Sequence, residues 1–95
     1  MRILLAEDDF VTRKFMMNFL SSYGECDAAV DGMEAVDAYL MALEDGEPYD
    51  LACLDIMMPV MDGYQVLRSI RDLEADHGIP EEEQVKVIMT TALND

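Results

Sequence analysis

Positive charge is what this 95-residue chain has least of: six lysines and arginines stand against 21 acids, for a formal charge of −15. So negative a surface excludes direct binding of nucleic acid or of an anionic membrane, since both need a positive one. Basic protein surfaces and metal ions are the partners it favours. Long apolar runs are missing too. No stretch reaches the roughly 18 residues of a membrane span, and the amino terminus has neither the basic region nor the cleavage site of a signal peptide, so the chain is expected in the cytoplasm. Cysteine is scarce, with only Cys26 and Cys53. Both fall in strand patterns and read as reduced core thiols, not as redox or metal residues. The one histidine, His77, lies among acids in a loop pattern and is assigned no role.

What the chain does have is a hydrophobic content of 52%, enough for one small folded domain over residues 1–95 with a thin core. Arg2 to Ala6 is a short apolar run of the kind buried on both faces of a parallel sheet. Val11, Phe15, Phe19 and Tyr23 then fall four apart, with Met16 and Leu20 beside them, predicting a core-facing helix that ends near Gly24. Glu25 to Val30 mixes polar residues into a strand pattern, as an edge strand does. Asp31 and Glu34 open a second helix, whose Val36, Tyr39, Leu40 and Leu43 share one face before Gly46 and Pro48 stop it.

Leu51 to Leu54 form a third buried strand, ending in Asp55. Pro59 bars its continuation, Asp62 can cap a helix, and Val66, Leu67, Ile70 and Leu73 mark that helix as the third. Glu74 to Gln84 reads as a solvated connector before a fourth strand from Val85 to Met89. This alternation leaves no room for hairpins and implies right-handed parallel crossovers in an α/β sheet. The nine methionines fall mostly in or beside these elements and read as gap-fillers of the core.

Two acid clusters sit at strand tips: Glu7-Asp8-Asp9 after the first strand and Asp55 after the third. The carboxyl edge of an open α/β sheet is where ligands bind. If the two strands are neighbours, the carboxylates converge and repel, each pair by roughly 4 kcal/mol at an effective dielectric near 20. A divalent cation relieves this, and all-oxygen ligands with room for water suit Mg²⁺, with Mn²⁺ as the variant.

With Asp8-Asp9, Leu-Asp55-Ile-Met-Met-Pro, Met-Asp-Gly at 61–63 and Thr91-Ala92 in this order, the chain resembles a response-regulator receiver domain of two-component signalling, of the chemotaxis-regulator kind. The resemblance implies a flavodoxin-like open parallel sheet of order 2-1-3-4(-5). It further implies Asp55 as phospho-acceptor, Asp8, Asp9, Asp55 and the Met57 backbone carbonyl as metal ligands, and Thr91 and the Ala92 backbone as phosphoryl contacts. The partner it implies is a sensor histidine kinase or a phosphotransfer protein. Such a module catalyses only its own phosphorylation and dephosphorylation and is not otherwise an enzyme.

Receivers of this kind have five strands and five helices, and this sequence stops at Asp95. The fourth helix, the fifth strand with its phosphate-contacting lysine, and the fifth helix are therefore expected to be missing. Lys14 and Lys86 do not match that lysine by motif. A truncated receiver serving only as an interaction module is the alternative, and a homodimer through the exposed edge of the fourth strand is expected. A Mg²⁺-dependent phosphohydrolase fits less well, because such enzymes place a general acid two residues after the nucleophile and Met57 stands there. A flavin-binding module fits poorly as well, since Glu7-Asp8-Asp9 would repel the phosphate.

Overall fold

A computed structural model describes residues 1–90. They form β1 (Arg2–Ala6), α1 (Phe10–Leu20), β2 (Glu25–Ala29), α2 (Gly32–Glu44), β3 (Leu51–Asp55), α3 (Gly63–Asp76), a short 3-10 turn at Glu81–Glu83, and β4 (Lys86–Thr90). All strands are parallel, in the order β2-β1-β3-β4, the flavodoxin-like arrangement expected from the sequence. β1 and β3 lie side by side, Ile3 paired with Leu51 and Ala6 with Leu54. Their carboxyl tips therefore open on the same edge.

The two sheet faces are covered unequally. On one, Leu4, Ala6, Ala52 and Leu54 pack with Ala35, Tyr39 and Ala42 of α2 and Val66 and Ile70 of α3. On the other, Ile3, Leu5 and Cys53 pack under α1 through Leu20, with Met16 and Met17 half-buried beside it. Ile3, Leu4 and Leu5 are wholly buried, and each such side chain contributes roughly 1.5–3 kcal/mol relative to exposure. β1 is thus the sheet's anchor, buried on both faces as its unbroken apolar run implies.

Three departures from the sequence-based expectation have physical causes. The stripe Val11, Phe15, Phe19 and Tyr23 is exposed rather than core-facing. α1 carries two neighbouring apolar stripes, and a single sheet contact accepts only the one containing Met16 and Leu20. Glu74 is not part of a solvated connector, because α3 runs on to Asp76 and buries it completely. There its carboxylate accepts from Tyr39 Oη at 2.6 Å and from the Val85 backbone at 2.7 Å, and pairs with Arg71 at 2.7 Å. β4, finally, runs from Lys86 to Thr90, one residue later than the apolar run suggested.

Candidate phospho-acceptor and metal site

Asp55 ends β3, is 3% exposed, and pairs in register with Thr90 at the tip of β4. The Met57 backbone N–H donates to its Oδ1 at 3.1 Å. The turn after it is tied back on both sides: Ile56 N–H donates to the Thr90 carbonyl and Gly63 N–H to the Ile56 carbonyl. Asp62 then caps α3, its side chain accepting from Gln65 N–H while the Gln65 side chain accepts from Asp62 N–H. This reciprocal pair satisfies two orphan donors of the helix start. Gly63 is required there, since a Cβ would lie 2.6 Å from the Asp55 carbonyl oxygen. The Asp55 backbone is thereby clamped between β4 and the first turn of α3.

The β1–α1 loop supplies the other carboxylates. Oxygens of Glu7, Asp8 and Asp55 all lie within 4.8 Å of one another, with Glu7 and Asp55 buried and Asp8 exposed. Glu7 N–H donates to the Ala29 carbonyl at 3.1 Å, and the Arg13 guanidinium donates to the carbonyls of Glu7 and Asp8 at 2.9 and 3.3 Å. Burial first, and then the hydrogen bond and charge of Asp55, push Glu7 up to about 7 from its ordinary 4.5. Three carboxylates this close favour protonation of one of them unless a cation intervenes.

Asp9, expected from the resemblance to serve the metal beside Asp8, is placed elsewhere. It is the N-cap of α1, its Oδ2 accepting from Thr12 N–H at 2.8 Å, and that bond holds its carboxyl below the usual range. Glu7 takes the place in the trio. The sequence did hold a signal for this: a helix starting at Phe10 needs a cap at position 9, which leaves Glu7 and Asp8 nearest the strand tip. Thr91 and Ala92 lie outside the described residues, and Lys14 and Lys86 sit in α1 and at the start of β4.

Comparison with known proteins places the fold in a family. The sequence profile of the family described as the response regulator receiver domain matches residues 3–95. Among curated proteins, the chain is 36% identical over 89 residues to probable histidine kinase 2 of Oryza sativa subsp. indica, covering 83% of this chain and 8% of that protein. It is 34% identical over 92 residues to hybrid signal transduction histidine kinase L of Dictyostelium discoideum, covering 96% of this chain and 5% of that one. The chain thus spans less than a tenth of these relatives. Among solved structures, the receiver domain of the histidine kinase CKI1 from Arabidopsis thaliana, complexed with Mg²⁺ and BeF3⁻, superposes with a TM-score of 0.82 at 28% identity, over 99% of this chain and 67% of that one. A chain of the CheX-CheY-BeF3-Mg²⁺ complex from Borrelia burgdorferi gives 0.75 at 31% identity, over 99% of this chain and 63% of that one. By its profile match, its similarity to these kinases and its fold, the chain belongs to the response regulator receiver domain family.

Proposed function

We propose that the chain takes a phosphoryl group onto Asp55 from a phosphohistidine of a sensor kinase or phosphotransfer protein, with Mg²⁺ held by Glu7, Asp8, Asp55 and the Met57 carbonyl. The observation that carries this reading is the meeting of three carboxylates within 4.8 Å at the tips of β1 and β3. The donor set fits a hard divalent cation: its ligands are all oxygen, and Asp8 is exposed, leaving room for water. Mn²⁺ shares that preference for octahedral oxygen and should substitute. Bound there, the cation would offset the negative charge of the phosphoryl group in transfer.

The chain's own part is to position the nucleophile. Met57 N–H occupies Oδ1 of Asp55, which leaves Oδ2 to attack phosphorus in line. As the O–P bond forms, the P–N bond breaks and its electron pair departs on the imidazole nitrogen. A donor ring still protonated on its other nitrogen leaves neutral. The product is an acyl phosphate, a hydrolysable switch with no separate substrate. Thr91 and the Ala92 backbone are proposed phosphoryl contacts, the cytoplasm the compartment, and a second copy meeting the outer edge of β4 a further partner.

Acetyl phosphate tests this reading. The intact mass is expected to rise by one phosphoryl group only when Mg²⁺ is present, and Asp55→Asn should remain folded and unlabelled. Thr91→Ala should slow labelling more than it weakens Mg²⁺ binding. Label persisting on the Asn variant would place the acceptor elsewhere.

A further inference from the structure

In the loop between β3 and α3, Val60 stands in the left-handed region at φ 71°. Met61 N–H donates to the Pro59 carbonyl at 2.7 Å, closing a γ-turn with positive φ, a rare and strained form. Glycine takes this conformation freely, whereas a β-branched side chain there is an outlier. Burial does not compensate the strain, since Val60 is 89% exposed. The rest of the loop imposes it: Met58 is buried in the core on one side, and the capped start of α3 holds the other. Strain kept at such a position points to function when the side chain has something to touch outside the chain.

The surroundings say what that is. Met57, whose N–H holds the acceptor carboxylate, exposes 72% of its side chain, and Phe10, directly after the β1–α1 loop, exposes 66%. Large apolar groups are therefore exposed within or next to both segments that carry the acid trio, within reach of a protein docked over Asp55. We propose that Val60, with Met57 beside it, is a specificity-determining contact for the protein that delivers the phosphoryl group. That partner has an apolar surface around its phosphohistidine and basic groups outside it, complementing the net charge of −15. The inference rests on Asp55 as acceptor, and a small-molecule donor, which makes no contact with the loop, separates the two.

The experiment compares phosphoramidate with a phosphohistidine protein, taken as the fastest donor to the native chain in a panel of purified phosphotransfer domains. Val60→Gly is expected to unfold at no lower temperature, since it relieves the strain, and to take label from phosphoramidate within about twofold of the native rate. Its kcat/KM with the protein donor is expected to fall about tenfold or more, mainly through KM, while Val60→Ile stays near native. Equal rates for Val60→Gly and the native chain with the protein donor would overturn the inference, and so would a parallel loss with both donors, which would mean the turn only supports Asp55. A native chain that takes no label from phosphoramidate overturns the acceptor reading itself.

Discussion

Three consecutive acids illustrate how little a side chain's chemistry says without its position. Glu7 is buried near Asp55, Asp8 is exposed with a carboxylate oxygen within 4.8 Å of both, and Asp9 caps a helix. Glu7 carries a pH dependence with a definite sign. Its pKa in the fold, about 7, lies above its unfolded value, so between the two the native state binds more protons than the unfolded chain. Stability from this group is complete below the unfolded value and is lost as pH rises through about 7. In chelator, urea unfolding should show the protein less stable at about pH 8 than at about pH 5, and Glu7→Gln should flatten that decline. An unchanged slope would assign the effect to other groups. Added Mg²⁺ should restore stability at the alkaline end, where the carboxylates it would bind are ionised.

At the scale of elements, the fold is locked by a few contacts between secondary structures that are remote in sequence. Glu74 of α3 joins Tyr39 of α2 and the start of β4, and burial together with that hydrogen bond drives the Tyr39 phenol above its usual range. Glu74→Ala would leave the Tyr39 hydroxyl and the Val85 N–H without their carboxylate, at about 1–3 kcal/mol for each buried donor left unsatisfied. Chemical denaturation measures it; a loss under about 1 kcal/mol would mean that water replaces the carboxylate. Gly63 acts at the site itself. With a Cβ 2.6 Å from the Asp55 carbonyl, Gly63→Ala must shift either α3 or Asp55, at about 1–3 kcal/mol. Labelling by acetyl phosphate should slow as well, and native labelling in a destabilised Ala variant would show that the helix, not Asp55, gives way.

For the whole molecule, the uneven covering of the sheet matters most. Among the described residues, two helices cover one face and α1 alone covers the other, where Phe15, Phe19, Tyr23 and Ile88 are more than half exposed. Among the described residues, β4 also pairs only with β3, so its outer edge offers unpaired backbone groups to another strand. The charge of −15 opposes close approach of two copies. Screening that charge should therefore let the apolar surface act: in about 1 M salt, where the Debye length is roughly 3 Å, sedimentation of the 95-residue chain is expected to show concentration-dependent association. Phe15→Glu should weaken it. A chain that stays monomeric at high salt and high concentration would refute this expectation.

Strand tips, turns and crossovers were legible in the sequence because each rests on local rules. Arg2–Ala6 and Leu51–Leu54 are apolar without alternation, Asp31 and Asp62 stand where helices need caps, and Pro59 interrupts the chain after Asp55. Together with the resemblance they set out the parallel sheet and the meeting of acids at one edge. Tertiary structure alone decided which members of near-equivalent sets took which place. Periodicity joins Val11, Phe15 and Phe19 with Met16 and Leu20 in one apolar stripe, and only packing with Ile3, Leu5 and Cys53 selects the Met16 and Leu20 side to face the sheet. Composition marks Glu74 as solvated, and only the arrival of Tyr39 and Val85 from distant segments makes a buried carboxylate tolerable. Among Glu7, Asp8 and Asp9, the choice turned on where β1 ends and α1 begins, a difference of one residue that side-chain type does not encode.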